Sequence, residues 1–349
     1  MKVRADYICP DFLLSIPLIN ASIMKKLFLG LSLFAFSLNL WAHKPALKYN
    51  DSGKFKIVQF TDLHIRLNDP RSDIAFERIN QVLNDEKPDL VILTGDMIYN
   101  QPADENFRKL LNVFEQQKQP FAITFGNHDQ EQGLPNSELF DIARTFTYHY
   151  TENEPGITGV GNCALEIKSA KADRTSNVLY LLDSGRECTL PDAKGYGYIH
   201  FDQIDWYRNK SKAFTKDNGG TPLLSLAFFH IPLPEYAAAA ADHSCSMYGI
   251  RRETPCSSQL NTGMFAFMKE MNDVKGVFTG HDHDNDFAVN YKGILLAYGR
   301  FTGGPTEYIH IPNGARVIEL TDNENSFRTW IRTAAGVEQE TTFPTDYKK

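Results

Sequence analysis

Five short polar segments of this sequence carry side chains that could bind metal ions. They cover residues 61–64, 94–96, 126–129, 229–232 and 280–283, and they supply seven candidate ligands: Asp62, His64, Asp96, Asn127, His230, His281 and His283. Each segment follows a short apolar run that is typical of a buried strand. Because ligand sites of open α/β sheets lie beyond the carboxyl ends of the strands, we expect the five segments to meet at one site.

The chemistry of these donors indicates two metal ions. The set combines imidazole nitrogens with carboxylate and amide oxygens and contains no thiolate. It favours iron, zinc or manganese over copper(I), and it is richer in imidazole than magnesium or calcium sites prefer. A catalytic zinc ion typically takes three protein ligands, so seven donors suit two cations about 3.5–4 Å apart with a bridging carboxylate. Asp96 is the expected bridge, because it follows the middle one of the first three predicted strands.

The elements that must position these segments can be predicted from the apolar pattern. Strands are predicted at residues 55–60, 90–93, 121–125, 224–229 and 277–278, each ending at or just before one polar segment. Apolar residues recur at helical spacing between the first and second strands and between the second and third. Residues 54–126 therefore predict a β-α-β-α-β unit, whose right-handed crossovers build a parallel core.

The rest of the chain predicts a second sheet and one long excursion. A strand is predicted at residues 178–182 and a helix from Asp202, and runs at 294–298, 307–311, 315–320 and 327–331 favour an antiparallel second sheet. Residues 233–262 form a connection of the length that usually serves as a lid or binding loop. We predict an α/β fold with α+β character in four layers, in which two packed mixed β-sheets are flanked by helices, within a single domain at residues 50–335.

The composition is that of a globular protein with an acidic surface. Hydrophobic residues make up 42% of the 349 residues, and the formal net charge is −7. Without residues 1–42, 32 basic residues stand against 41 acidic ones. A nucleic-acid-binding domain would show a basic patch or stripe, so we expect no nucleic-acid partner. Any attraction for phosphate must be local and come chiefly from the metal ions.

Residues 1–42 are predicted to be an upstream extension plus a secretory signal peptide, with the true start at Met24. Lys25 and Lys26 form a basic region, residues 27–40 are apolar, and Ala42 offers a small residue for cleavage. The alternative is a membrane anchor, but 14 apolar residues are fewer than the roughly 20 that span a bilayer. We expect export to the periplasm or the medium, with no stable membrane anchor after cleavage.

Four cysteines follow the predicted leader: Cys163, Cys188, Cys245 and Cys256. In an exported chain, four cysteines predict disulfides. The pairing that closes the shortest loops is Cys163 with Cys188 and Cys245 with Cys256, and it is the one we expect. Four free thiols in a cytosolic enzyme are the alternative, which the predicted leader disfavours.

The order and spelling of the five segments resemble the calcineurin-like metallophosphoesterases. The shared motifs are Asp-x-His, Gly-Asp, Gly-Asn-His-Asp, a lone His at a strand end and Gly-His-x-His, in the family's order between residues 60 and 283. The context at residues 261–263, 280–287 and 298–300 is similar to one branch of that family, which contains plant proteins named as purple acid phosphatases and the fungal Dcr-type phosphoesterases. The resemblance implies the metallophosphoesterase sandwich fold.

The resemblance also implies how the ligands divide between the two metal ions. One ion would be held by Asp62, His64 and His283, and a second by Asn127, His230 and His281. Asp96 would bridge the two ions, together with a water or hydroxide. His128 would lie over the leaving group without binding metal.

Tyr99 marks a departure from the true purple acid phosphatases. It stands at the Gly-Asp-x-x-Tyr spacing that supplies their iron-binding tyrosinate, but those enzymes have Gly where this chain has His64. We therefore expect His64 to take that coordination position and the enzyme to be colourless.

Together these residues predict an exported phosphoesterase that depends on two metal ions. A metal-bridging hydroxide would attack the phosphorus of a monoester or diester directly. His128 would assist the leaving group, with Asp129 orienting its ring. The substrate would be a small molecule or an exposed phosphate ester. The alternative is a non-catalytic ligand-binding protein on the same scaffold.

Three further residues are candidates for binding a phosphate oxygen: Tyr248, Arg251 and Arg300. The first two lie in the excursion at residues 233–262, and a solvated loop is the alternative for them. Arg300 follows a predicted strand and could instead form a structural ion pair with Asp286.

Overall fold

Two mixed β-sheets form the centre of the structure, a computed structural model that describes residues 44–348. The strands are β1 (Lys54–Phe60), β2 (Leu90–Thr94), β3 (Phe121–Thr124), β4 (Cys163–Lys168), β5 (Thr175–Leu181), β6 (Ser225–Phe228), β7 (Met247–Tyr248), β8 (Val274–Thr279), β9 (Ala288–Tyr291), β10 (Ile294–Tyr298), β11 (Gly314–Thr321), β12 (Phe327–Thr333) and β13 (Gly336–Phe343). The α-helices are α1 (Asp73–Glu86), α2 (Ala103–Gln116), α3 (Asn136–Ala143), α4 (Phe201–Asp217), α5 (Glu235–Ala241) and α6 (Met264–Met271). Short 3₁₀ helices lie at Pro70–Ser72, Asp129–Gln132 and Thr345–Tyr347.

The strand order is β13-β12-β11-β1-β2-β3 in the first sheet and β4-β5-β6-β8-β10-β9-β7 in the second. Strands β1, β2 and β3 are parallel, and α1 and α2 connect them. Both helices bury residues at helical spacing, such as Ile79 and Val82 in α1 and Leu110 and Phe114 in α2. The predicted β-α-β-α-β unit is therefore confirmed.

Three buried apolar clusters show how the layers pack. Residues of α1, α2 and α3 cover one face of the first sheet, where Val58 and Leu93 are fully buried. The facing sides of the two sheets share a second cluster that includes Ile57 and Phe278. Helices α4, α5 and α6 cover the outer face of the second sheet. Two mixed sheets flanked by helices give four layers, which confirms the predicted fold class.

The division of the later strands between the sheets differs from the prediction. Strand β10 pairs in parallel with β8 in the second sheet, whereas β11 pairs antiparallel with β1 in the first, with Ile318 opposite Ile57. Residues 307–311, predicted as a strand, contain none. The physical reason lies in β1, whose edge opposite β2 would otherwise carry unpaired backbone groups. Strand β11 pairs with that edge.

The C-terminal hairpin belongs to the first sheet. Strand β13 pairs antiparallel with β12, and it lies beyond residue 335, up to which the domain was expected to extend. At the other end, the predicted signal peptide and upstream extension at residues 1–42 lie outside the described residues. Between residues 44 and 348 no helix is both long enough and apolar enough to cross a membrane.

The structure forms no disulfide between Cys163 and Cys188 or between Cys245 and Cys256, the pairs that we expect. Cys163 is buried on β4, in the cluster between the sheets. Cys188 instead lies in a loop, where its backbone N–H bonds to the carbonyl of Gly195 at 2.9 Å. In the second expected pair, the Cys256 thiol faces the carbonyl oxygen of Thr254 at 3.4 Å.

Candidate metal centre

The loops that follow β1, β2, β3, β6 and β8 converge at one edge of the two sheets and bring the seven predicted ligands together. In the part of the chain that the structure describes, two buried groups have donor atoms within 4.8 Å of one another: Asp62, His64 and His283, and Asp96, His230 and His281. Asn127 lies beside the second group, with its Oδ1 atom 3.1 Å from Nε2 of His230. Five separate polar segments thus form one site, as predicted.

Asp96 lies between the two groups. Its Oδ2 atom is 3.2 Å from Nε2 of His230 and 3.7 Å from Nε2 of His64. Within the groups, Nε2 of His64 lies 3.1 Å from Nε2 of His283, and Nδ1 of His281 lies 3.3 Å from Nε2 of His230. Asp96 therefore occupies the position that a bridging ligand requires.

The tautomers of two imidazoles show that the site fits metal ions. Nδ1 of His230 faces the carbonyl oxygen of Thr94 at 2.8 Å, and Nδ1 of His283 faces that of Tyr308 at 3.0 Å. A nitrogen beside a carbonyl oxygen must carry the proton, so Nε2 of a neutral ring has a free lone pair. Those lone pairs point toward other imidazoles and carboxylates. Converging lone pairs repel unless a cation lies between them, and carbonyl-anchored histidines are the usual ligands of metal ions.

The charges within the site favour the same conclusion. Burial lowers the pKa of His64 and His281 well below the ordinary value, so both rings are neutral and able to bind metal. Burial would also lower the pKa of His230, but the carboxylates of Asp96 and Asp62 outweigh it and raise that pKa to about 10. The buried carboxylates therefore favour positive charge at this point, which bound cations would provide.

Four residues at the site have backbone φ angles that residues other than glycine rarely adopt. Asp62, His64, Asp96 and His281 have φ angles of 53°, 42°, 50° and 81°, and such residues cost about 1–3 kcal/mol each and cluster at functional sites. Glycine is required at two close approaches. A Cβ atom on Gly126 would collide with the Asp96 carboxylate, and one on Gly280 with the hydroxyl of Thr61. Close packing of the loops thus accompanies backbone strain.

Asp129 does not orient His128, contrary to the prediction. Its buried carboxylate accepts hydrogen bonds from the backbone N–H groups of Asp96, Met97 and Gly126 at 3.0, 2.7 and 2.8 Å. Burial and the charge of Asp96 raise the pKa of Asp129 to about 7, although the hydrogen bonds from these N–H groups act to lower it. The residue joins the loop after β2 to the loop after β3, so its role is structural.

His128 lies at the open side of the site, with its side chain 32% exposed. Its ring centroid is 5.6 Å from that of His64 and 5.3 Å from that of Tyr99. Nδ1 of His128 lies 2.6 Å from a carboxylate oxygen of Glu131. Glu131 is a residue that the sequence analysis missed, although its spacing of three residues from His128 was the available signal.

Tyr99 contacts the site through its ring. The ring meets that of His64 edge to face at 4.8 Å, and the guanidinium of Arg66 lies 4.8 Å from the ring centroid. Burial, and after it the carboxylate of Glu307, raises the pKa of the Tyr99 hydroxyl. That Tyr99 binds no iron stays a prediction.

Arg300 is not available to a substrate, so its prediction as a phosphate-binding residue was wrong. The side chain is fully buried and pairs with Asp286, with Nε 2.7 Å from Oδ2. It also donates to the carbonyl of Pro312 at 2.7 Å and to Glu338 at 3.1 Å. The alternative interpretation, a structural ion pair, is the correct one.

Tyr248 and Arg251 also bind other parts of the protein. The Tyr248 hydroxyl donates to the carbonyl of Asp346 at 2.8 Å on the far edge strand β7, and Arg251 donates to the carbonyl of Ala240 at 2.8 Å. The structure does not bring either residue to the predicted ligands. No motif in the sequence indicates that Tyr248 and Arg251 make these contacts.

The excursion at residues 233–262 is fastened to the ligand-bearing loop after β8. Backbone N–H groups of Ile250, Arg252 and Cys256 donate to the side chains of Asp286, Asn285 and Asp282 at 2.5, 3.0 and 3.1 Å. In return, the N–H of Asp284 donates to Glu253 at 2.7 Å. This part of the excursion therefore supports the two histidines of that loop.

Two exposed tyrosines flank these histidines, and sequence analysis found neither. Tyr308 stacks on His283 with centroids 4.4 Å apart and is 45% exposed. Tyr196 meets His281 edge to face at 4.2 Å and is 36% exposed. They form aromatic walls at the opening of the site.

Known proteins with similar sequences or folds agree with this geometry. A model of the family described as calcineurin-like phosphoesterase matches residues 55–285. A protein of Arabidopsis thaliana named probable inactive purple acid phosphatase 29 is 30% identical over 313 residues, which cover 79% of each chain. Phosphatase DCR2 of Saccharomyces cerevisiae is 31% identical over 325 residues, which cover 82% of this chain and 55% of the yeast protein.

A solved structure has the same fold. The crystal structure of a dimetal phosphatase from Danio rerio superposes with a TM-score of 0.56 at 14% identity, and covers 82% of this chain and 98% of its own. The family match spans most of the described domain and includes all seven predicted ligands. The chain therefore belongs to the calcineurin-like phosphoesterase family.

Proposed function

We propose that this protein is an active, exported phosphoesterase that depends on two metal ions and hydrolyses phosphate monoesters or diesters by direct attack of water. The observation that supports this most strongly is the pair of buried donor groups on either side of Asp96. Two cations held there would neutralise phosphate oxygens and lower the pKa of water. Export is proposed from the apolar segment at residues 27–40.

Residues of the chain would orient the metal ligands and transfer a proton to the leaving group. The carbonyl groups of Thr94 and Tyr308 hold the rings of His230 and His283 in their ligand tautomers. His128 has one ring nitrogen on Glu131, which leaves Nε2 for the oxygen of the leaving group. A positioned imidazole that transfers a proton in the transition state contributes about 10²–10⁴-fold to a rate.

The names of the relatives differ on whether such proteins are active. The plant relative is named a probable inactive enzyme, and the yeast relative is named a phosphatase. In this chain every predicted ligand lies in the site, and His128 lies beside it. These positions support activity.

The test compares a chromogenic phosphate monoester with the matching diester on purified protein reconstituted with iron, zinc or manganese. The Asp96→Asn variant is the control, because it removes the carboxylate that lies between the two donor groups. We expect hydrolysis of at least one ester by the wild type and its loss in the variant. Absence of hydrolysis with every metal would reject the proposal and favour the non-catalytic ligand-binding alternative.

A further inference from the structure

We propose that Glu131 and Arg186 are positioning residues for His128, and that they fit the site to esters of aliphatic alcohols, whose leaving oxygen requires a proton. This inference rests on the proposed function and names a substrate class for the same site. It depends on a chain of three side chains at the opening of the site, each 31% to 42% exposed.

The first link joins Glu131 to His128. Oε2 of Glu131 lies 2.6 Å from Nδ1 of His128, which is the distance of a charge-assisted hydrogen bond. The two residues are three positions apart at a 3₁₀ helix, Asp129–Gln132, for which His128 is the N-cap. Side chains at this spacing eclipse each other in a 3₁₀ helix, so the local fold directs Glu131 onto the imidazole.

The second link joins Glu131 to another part of the chain. The guanidinium of Arg186 lies 3.2 Å from Oε1 of Glu131, and Arg186 belongs to the loop that follows β5 in the second sheet. The two oxygens of one carboxylate thus have different partners. Arg186 holds the oxygen that His128 does not use, and so restricts rotation of the carboxylate.

The ring of His128 is restricted on its other side by aromatic contacts. Tyr99 meets it edge to face with centroids 5.3 Å apart, and the ring of His64 lies at 5.6 Å. When the imidazolium form of His128 donates Nδ1–H to Glu131, the leaving oxygen takes the proton from Nε2, and the ring is left neutral with its proton on Nδ1. The exposure of His128 leaves Nε2 accessible beside the candidate ligands.

Stability does not account for this arrangement. A partly exposed ion pair contributes little to folding, so variants at Glu131 and Arg186 should fold. The two residues set the direction of an imidazole whose ring lies beside that of the candidate ligand His64. Orientation of this kind matters most when the leaving group is a poor one.

A comparison of two leaving groups therefore distinguishes the loss of His128 orientation from general damage to the fold or the metal site. An aliphatic alkoxide leaves poorly unless it is protonated, whereas p-nitrophenolate leaves without a proton. Loss of His128 orientation should slow hydrolysis of an alkyl phosphate and spare p-nitrophenyl phosphate. A variant that merely disturbs the fold or the metal ions should slow both.

The experiment measures kcat and KM for both esters in the wild type and in Glu131→Ala, Glu131→Gln and Arg186→Ala. Glu154→Ala is the matched control, because Glu154 forms a similarly exposed ion pair with Lys210 at 3.0 Å. We expect Glu131→Ala to lower kcat for the alkyl ester by about 10–100-fold with little change in KM or in p-nitrophenyl ester hydrolysis. Glu131→Gln should retain most of the rate, since its amide oxygen accepts the same bond, and Arg186→Ala should be intermediate.

A second readout needs no activity. NMR of the imidazole nitrogens in the metal-free protein should show the proton of neutral His128 on Nδ1 in the wild type, and a shift toward Nε2 in Glu131→Ala. Equal loss on both esters, no loss on either, or a wild-type proton on Nε2 would overturn the inference. A wild type that hydrolyses neither ester with any metal would instead overturn the proposed function, and this inference with it.

Discussion

The carboxylate of Asp129 accepts a hydrogen bond from the backbone N–H of Asp96 at 3.0 Å. The two residues belong to loops that follow different strands, and three further N–H groups, those of Met97, Ile98 and Gly126, bond to the same carboxylate at 2.7, 3.3 and 2.8 Å. The position of the bridging candidate Asp96 thus depends on a carboxylate that bonds to backbone N–H groups and not to the ligand side chains.

Asp129→Ala should destabilise the protein and weaken metal binding. The change leaves four buried N–H groups without an acceptor, which costs about 1–3 kcal/mol for each such group, so we expect a loss of about 4 kcal/mol or more. Urea denaturation in the presence of a chelator measures it. Asp141→Ala is the control, because the Asp141 side chain is 72% exposed on α3. Unchanged stability with a selective loss of alkyl ester hydrolysis would restore a role in orienting His128.

Arg300→Ala should lower the free energy of unfolding by about 3–5 kcal/mol, because it leaves the buried Asp286 without its charged partner. Since Arg300 is fully buried, KM for phosphate esters should stay the same. Arg300→Lys, which keeps the charge, allows KM to be measured if the alanine variant does not fold. A tenfold rise in KM with wild-type stability would show that Arg300 binds substrate after all.

Stability should fall in acid through Glu86, at the end of α1. Burial raises the pKa of this carboxyl, but bonds from Trp330, Arg332 and Lys56 outweigh burial and lower it below its ordinary value of 4.5. A depressed carboxyl pKa adds stability above the ordinary value, and that stability is lost as pH falls through the folded value.

Glu86→Gln should therefore cost about 1–3 kcal/mol at neutral pH, and the difference from the wild type should shrink below about pH 4. Urea unfolding at a series of pH values measures this difference. A cost that is the same at all pH values would show that the charge of Glu86 contributes nothing.

Iron-loaded protein should show no tyrosinate absorption band. Tyr99 contacts His64 through its ring, and burial and Glu307 favour its protonated hydroxyl. Visible spectra of the wild type and Tyr99→Phe should be the same. A strong band that disappears in the variant would place the Tyr99 oxygen on iron.

The ligands could be predicted from sequence because each depends on local information. A donor that directly follows a buried strand lies at the end of that strand, whatever the strand's place in the sheet. The ends of five such strands meet at this site. Parallel pairing of β1, β2 and β3 followed from the helical spacing between them. Residues such as Asp62 and His281 could be found without knowing any distance.

Contacts between distant parts of the chain could not be predicted in this way. The Gly-Asn-His-Asp pattern does not show that Asp129 faces a loop 33 positions earlier, or that Arg186 reaches Glu131. Cysteine spacing does not show that Cys163 is enclosed between the sheets. Pairing of Ile318 with Ile57 is equally non-local, and it placed β11 in the first sheet rather than the second.

The central claim, that buried donors around Asp96 hold a pair of ions, is tested most directly by counting metal ions. Purified protein reconstituted with iron, zinc or manganese, and then freed of loosely bound ions, is analysed for its elements. The geometry predicts two ions per chain in the wild type and one or fewer in Asp96→Asn. At most one tightly bound ion per wild-type chain, with each metal tried, would contradict it.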